Sequence, residues 1–260
     1  MLEPGEAAPV EVFHAGARSD FVIVCDHAGR ALPRALGSLG LSRGELLTHI
    51  GWDIGAEAVA RQLTLLLKAE LVLQRYSRLV IDCNRPLHAP DSIAHTSGGI
   101  PIPGNQSVTP LEAAERARSV FQPYHDQIRR TLDARATRGQ PSLLIAMHTF
   151  TPELLGKPRQ WHTGVLYHRD TRIAHPLLTL LRQETGLVVG DNEPYTASEA
   201  TDFSIIEHGE RRGLPYVELE IRQDLVSDPA GQADWAERFA RLLRQVSQAF
   251  PSQQPSLRDG

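Results

Sequence analysis

The stretch Phe21-Val-Ile-Val-Cys25 is apolar at every position and mostly β-branched. A run of that kind, with no polar alternation, reads as a strand buried on both faces, and such a strand needs a covering layer above and below it. Further strand-length runs stand at 70–74, 79–83, 142–147, 164–168, 187–189 and 216–221. Helix-length segments separate several of them. Residues 43–68 carry Leu46, Leu47, Ile50, Ile54, Ala58 and Leu65 near a 3.6-residue period. Thr109-Pro110 followed by Glu112 supplies an N-cap, a first-turn proline and an early acid, so a helix is expected from there to about Thr137. A third helix is expected over 173–183. A fourth, capped by Asp228-Pro229, should run to about Ala249 with Trp235, Phe239, Leu242, Leu243 and Val246 on its apolar face. This alternation predicts an α/β fold: a single three-layer domain over residues 1–250, with a central mixed, mostly parallel sheet flanked by helices. The first twenty residues read as a surface lead-in, and the polar, proline-bearing 251–260 as a flexible C-terminal tail.

Composition narrows the function classes. Hydrophobic residues make up 41% and charged residues 22% of 260, as in ordinary globular proteins. Lys+Arg 27 against Asp+Glu 31 leaves a net charge of -4, so no basic field recommends a nucleic-acid partner. No apolar run approaches the roughly 20 residues that span a bilayer, and the N-terminus lacks the basic and apolar regions of a signal peptide. Cys25 and Cys83 lie inside apolar runs, where a buried thiol is normal. The expectation is a cytoplasmic enzyme or small-molecule-binding domain, with neither nucleic acid nor membrane as partner. Oligomeric state is not legible.

In an open α/β sheet the ligand sits beyond the carboxyl ends of the strands, which makes the residues after each apolar run the ones to examine. Those ends carry Asp26-His27-Ala-Gly29, Asp82-Cys-Asn84-Arg85-Pro86, Met147-His148-Thr149 and Glu218-Leu-Glu220-Ile-Arg222. Taken singly, a histidine after a strand is a hydrogen-bonded structural residue, an acid is a cap, and Asn-Arg before Pro is a turn. Together they deliver two imidazoles, several carboxylates and a guanidinium to one rim. Imidazole with carboxylate suits a divalent metal such as zinc, and catalytic zinc keeps three protein ligands and one open position. With no HExxH motif or paired CxxC, the ligands would come from distant segments.

The segments Cys25-Asp-His-Ala-Gly29, His49-Ile-Gly-Trp-Asp-Ile-Gly-Ala56, Ser77-Arg-Leu-Val-Ile-Asp-Cys-Asn-Arg-Pro86, Ile100-Pro-Ile-Pro-Gly-Asn105, Ala146-Met-His-Thr-Phe-Thr-Pro152, Val189-Gly-Asp-Asn-Glu-Pro-Tyr195 and Gly213-Leu-Pro-Tyr-Val-Glu-Leu-Glu-Ile-Arg-Gln-Asp-Leu225 occur in order. Together they resemble the N-formylglutamate amidohydrolase family, which is similar to the zinc carboxypeptidase and aspartoacylase group. The resemblance implies the zinc-carboxypeptidase-like form of the predicted fold and one Zn2+ per chain, or another divalent metal. It implies His27 and His148 as ligands and Asp53 as the third, with Asp26 as the alternative. The related group uses a short His-x-x-Glu pair, whereas position 30 here is Arg. Glu220 matches the group's general base. Glu218 shares its strand face, so either carboxylate is placed to serve, and Glu218 is otherwise expected to be a buried partner of an arginine.

Asn84 and Arg85 match the pair that holds a substrate carboxylate, for which a guanidinium fork is suited. Arg78 is a second candidate unless it pairs with Asp82. The Gly98-Gly99 and Pro101–Asn105 loop is expected to line the pocket through Asn105. Tyr195 and Asn192 are substrate-side candidates, and His125 is expected on a helix in a supporting role. The implied activity is zinc-dependent hydrolysis of an N-acyl (N-formyl) amino acid bearing a free carboxylate, such as N-formylglutamate. The alternatives are a deacylase for a different N-acyl amino acid and a non-catalytic carboxylate- or peptide-binding relative.

Overall fold

The continuous apolar runs do what their pattern requires: they form the middle of a sheet covered on both sides. The computed structural model describes residues 1–250, so the expectation for the tail lies outside the described residues. In chain order the elements are β1 (Val10–Phe13), β2 (Phe21–Cys25), α1 (Arg43–Leu46), α2 (Ala56–Leu67), β3 (Glu70–Gln74), β4 (Thr96–Ser97) and β5 (Ile100–Pro101). There follow α3 (Pro110–Arg116), α4 (Gln122–Thr137), β6 (Leu143–Phe150), β7 (Glu153–Leu154), β8 (Lys157–Pro158), β9 (Thr163–Leu166), α5 (Ala174–Leu181), β10 (Val189–Asp191), α6 (Ser204–His208), β11 (Tyr216–Arg222) and α7 (Pro229–Ser247). Seven strands make one mixed sheet in the order β1-β3-β2-β6-β11-β9-β10. β3, β2, β6 and β11 run parallel, while β1 pairs antiparallel with β3, and β9 antiparallel with β11. The carboxyl ends of β2, β6 and β11 therefore share one rim.

Period-two alternation assigns each strand residue to a layer. Ile23, Leu73, Ile145, Leu219 and Ile221 pack beneath α2, α5 and α7, among Leu63, Leu177, Phe239 and Leu243. Val22, Val24, Leu144, Ala146 and Tyr216 face the other way, against Phe121, Tyr124, Ile128 and Ile205 of the α3–α4 and α6 layer. The expected helix from Pro110 to Thr137 is present, capped by a reciprocal Thr109–Glu112 capping box and carrying a π-turn over Ala117–Phe121. Asp228 caps α7 through Ala230 and Gly231 as expected.

Four sequence readings are corrected. The expected helix over 43–68 breaks after Leu46 and restarts at Ala56, because residues 47–55 are drawn to the end of β2, where the Asp53 amide donates to the His27 carbonyl. Ile50 mimics the helical period because it is buried in a separate cluster with Leu39, Leu79 and Ile102. The 79–83 run is turn rather than strand; it is apolar because it is buried, and its backbone is held by Ser77 Oγ and by a bond from the Asp82 amide to the Ser92 carbonyl. Within the presumed lead-in, residues 10–13 form the edge strand β1. The expected strand at 187–189 instead covers Val189–Asp191.

Two glycines let the chain return to the rim after β10. A side chain on Gly164 would meet the Glu193 carbonyl oxygen at 2.1 Å, and one on Gly190 would meet it at 2.4 Å. The Glu193 backbone therefore lies directly on the sheet and brings Tyr195 back beside β11. Gly29 plays a similar part after His27: its absent Cβ would sit 2.0 Å from the Arg75 carbonyl carbon, so the segment following β2 lies flat against the one following β3.

The expected supporting role of His125 is visible where α4 meets α6. Its Nε2 lies 2.9 Å from the Cys83 carbonyl, and its Nδ1 lies 3.0 Å from His208 Nε2. Burial lowers the pKa of His125 to about 4, and burial together with His125 lowers that of His208 to about 2. Unfolded imidazoles take up protons near 6.5. The unfolded chain thus binds more protons than the folded one below that pH, and the pair's contribution to stability is lost on acidification. Between pH 7 and pH 5, wild type should lose about 2 kcal/mol more stability than His208→Gln, read from urea denaturation at the two pH values. Equal losses would contradict the buried, neutral pair.

Candidate metal centre and active-site cleft

His27 is the second residue past β2, and His148 lies within β6 directly beside β2. Asp53 arrives from the turn ahead of α2, whose N-cap Gly55 adopts a φ of 85°. All three side chains are buried. Asp53 Oδ2 lies 3.0 Å from His148 Nδ1 and 3.5 Å from His27 Nδ1, and it accepts the Thr149 amide at 3.2 Å. One donor atom from each of the three residues lies within 4.8 Å of the other two.

The far nitrogen of each imidazole faces a second carboxylate. His27 Nε2 meets Asp82 at 2.7 Å, and His148 Nε2 meets Asp26 at 3.0 Å. This arrangement fixes which ring nitrogen points inward, as outer carboxylates do in metal sites. His27 Nδ1 is buried with no hydrogen-bond partner among the described residues. Two inward Nδ1 atoms and one carboxylate oxygen make a donor set that fits a zinc-like divalent cation with an open coordination position. Asp26, the alternative ligand, instead stands behind His148.

The electrostatics point the same way. Burial disfavours charge on His148, but Glu218, Asp26 and Asp53 outweigh it and raise its pKa well above the ordinary imidazole range. Burial would raise Asp53, yet His27 and His148 hold it well below the usual carboxylate range. Burial would likewise raise Asp26, but His148 and His27 bring it down to about 2. The pocket stabilises positive charge at its centre, whether that charge is a proton or a metal ion.

β11 runs beside β6 with Glu218 opposite Ala146 and Glu220 opposite His148. Both glutamates line a cleft of about 250 Å³ together with His27, Asp53, Arg78, Arg85 and Tyr195. Glu220 Oε2 is buried and has no partner among the described residues. Burial raises Glu220 well above the ordinary range, with Asp53 and Glu218 adding to the effect. The expected arginine partner of Glu218 is not found among the described residues; its Oε2 accepts from Asn84 Nδ2 at 3.3 Å and lies 4.0 Å from His148 Nε2. Burial, then Asp202 and Asp26, push Glu218 up to about 7.

The substrate-side candidates divide. Arg85 donates to Asp91 and to the Asn84 and Thr201 carbonyls, while its Nη2 makes no hydrogen bond among the described residues. Asn84 lines the cleft, but its amide is engaged: Oδ1 accepts the Phe203 and Ser204 amides, and Nδ2 reaches Glu218. Arg78 pairs with Asp82 at 2.8 Å and lies 3.5 Å from Asp53, at the wall of the cleft. Tyr195 is at the mouth, where its hydroxyl accepts from Arg159.

Asn105 lies away from the cleft. It is fully buried, donates to the Leu79 and Ala94 carbonyls and accepts from Arg116, so it holds the loop's shape. Asn192 accepts the Tyr167 amide and does not line the cleft. The chain holds a Gly-x-Ser-x-Gly spacing at Gly40-Leu-Ser-Arg-Gly44, but Ser42 is the exposed N-cap of α1, bonded to Glu45, and no nucleophile elbow forms. Asp202 and Ser204, both tied into the acid cluster, carry no motif; their place follows only from Asn84 capping the turn into α6.

A larger, open groove of about 690 Å³ lies beside Trp52, Glu57, Arg61 and Arg75. Arg61 and Arg75 both pair with Glu57 and Glu11, Arg30 lies over the Trp52 ring, and the candidate metal ligands are elsewhere.

Known proteins resemble this chain in sequence and in fold. Gene product Atu2144 from Agrobacterium tumefaciens is 34% identical and superposes with a TM-score of 0.92, over 95% of this chain and 98% of its own. An N-formylglutamate amidohydrolase from Ralstonia eutropha JMP134 shares the fold at 18% identity and a TM-score of 0.62, over 94% and 98% of the two chains. No curated protein matches. The sequence profile of N-formylglutamate amidohydrolases matches residues 19–227, a span that contains His27, Asp53, His148 and Glu220. The chain therefore belongs to the N-formylglutamate amidohydrolase family.

Proposed function

We propose that this chain is a zinc-dependent amidohydrolase that releases a small acyl group, formyl in the first instance, from an N-acyl amino acid with a free carboxylate. The observation that carries this reading is the convergence of His27, Asp53 and His148 on one point, with the unpaired Glu220 carboxylate in the same cleft. A divalent cation held by those three residues would supply Lewis acidity and lower the pKa of a bound water toward about 7.

The chain's own residues supply the rest. Glu220, on the strand beside His148, is the carboxylate with a free oxygen, so it is assigned to take the proton of the attacking water and pass it to the departing amine. Glu218 is less suited, because its oxygen is engaged by Asn84 next to His148. Burial, then the like charges of Asp53 and Glu218, raise the Glu220 pKa; a cation held by His27, Asp53 and His148 would lower it and favour the base. Arg78, fixed by Asp82 and Asp53, places a permanent positive charge at the cleft wall, where the acyl oxygen gains charge in the transition state. The free Nη2 of Arg85 is assigned to the substrate carboxylate, which orients the scissile amide. The small, polar cleft favours a compact acyl group, and the family's formylglutamate chemistry names the first substrates to try.

The zinc-loaded protein should hydrolyse N-formyl amino acids in a panel of N-formyl and N-acetyl derivatives. Glu220→Gln should lower kcat on the order of 10²–10⁴-fold with zinc retained. Arg85→Ala should act mainly on KM, and its loss should shrink when the substrate carboxylate is replaced by an amide. Full activity in Glu220→Gln would remove that residue from the mechanism. An Arg85→Ala defect that is the same for acid and amide substrates would remove Arg85 from carboxylate binding.

A further inference from the structure

The two histidines of the proposed centre are held from behind in different ways. Asp82, behind His27, is itself fixed by charge and backbone: Arg78 donates to it at 2.8 Å, and the Asn84 amide does so at 2.8 Å. Asp26, behind His148, has no arginine or lysine against it among the described residues. Its Oδ2 meets His148 Nε2, and its Oδ1 accepts a 2.5 Å hydrogen bond from the hydroxyl of Ser204. Ser204 is wholly buried and does not line the cleft. It stands at the start of α6, where its backbone amide donates to Asn84 Oδ1 at 3.0 Å.

The chain of contacts therefore runs from Asn84 to Ser204 to Asp26 to His148. A carboxylate turns about its terminal torsion, and the ring it faces turns with it unless both oxygens are tied. The imidazole ties one oxygen of Asp26. A short, charge-assisted bond from Ser204 ties the other, at a site with no solvent contact to replace it.

We propose that Ser204 is a positioning residue of the metal centre: it locks Asp26, and through Asp26 it holds the His148 ring with Nδ1 turned toward the metal position. It touches neither substrate nor ligand atoms. The proposal rests on the metal-dependent reading above and adds a role that no motif marks. Removing the hydroxyl should loosen His148 and not His27, so the protein should still take up metal but hold it less tightly. Outer residues of this kind are worth about 10–100-fold in metal affinity.

The test is the zinc dissociation constant, by competition with a chromophoric chelator, for wild type, Ser204→Ala, Asp26→Asn and Ile206→Val. Ile206 is a buried α6 residue outside the chain of contacts, and its truncation controls for general loosening of the helix. Ser204→Ala should weaken zinc about 10-fold, and Asp26→Asn at least as much. The visible spectrum of cobalt-substituted Ser204→Ala should shift, while Ile206→Val should match wild type in both readouts. Unchanged affinity in Ser204→Ala, or equal weakening in Ile206→Val, would overturn the assignment and leave the metal centre standing. A wild-type chain that takes up no zinc would instead overturn the reading on which the assignment rests.

Discussion

One carboxylate oxygen held between two buried imidazoles is the constraint to which the rest of the structure answers. Asp53 Oδ2 reaches toward both His27 and His148, and the three side chains come from a post-strand turn, a central strand and the turn ahead of a helix. A parallel sheet puts β2 and β6 side by side with their ends on the same rim, which delivers the two histidines. Delivering Asp53 takes a broken helix: the chain between α1 and α2 gives up helical hydrogen bonding so that it can lie against His27, and Gly55 takes the positive φ from which α2 starts.

The charge distribution follows from the same constraint. Burying two imidazoles that turn Nδ1 inward requires acceptors on their outward nitrogens, and Asp82 and Asp26 supply them. Those carboxylates then need their own donors, and this requirement organises the shell. Arg78 is drawn to Asp82, Ser204 to Asp26, and Asn84 bridges the Asp82 segment, Glu218 and the start of α6. Asn84 is consequently a structural organiser, although it sits beside the arginine proposed to meet substrate. Arg85 keeps Nη2 unengaged among the described residues, which separates the duties of two adjacent residues.

Much of this was legible in the sequence because burial on both faces leaves a strong mark. The runs at 21–25, 142–147 and 216–221 announced the strands β2, β6 and β11, and in a parallel sheet strand ends announce the rim. Glu218 and Glu220 were placed on one face by simple alternation. The misreadings at 43–68 and 79–83 share one cause: burial is not secondary structure. Ile50 and the 79–83 run are apolar because they fill the core beneath irregular backbone, and periodicity alone does not distinguish that from helix or strand. Asn105 next to glycines and prolines resembled a pocket loop, but its amide spans backbone carbonyls 26 and 11 residues away, contacts that local sequence cannot encode. Ser204 and Asp202 were invisible for the same reason, since their neighbours Asp26 and Asn84 lie more than 100 positions away.

The buried His27–Asp53–His148 cluster is proposed to be a metal centre. That proposal is tested most directly by elemental analysis of the purified protein, beside His27→Ala and His148→Ala variants shown by circular dichroism to be folded. About one zinc per wild-type chain is expected, lost in both variants. A folded wild-type chain that carries no metal and binds none when zinc is added would contradict it.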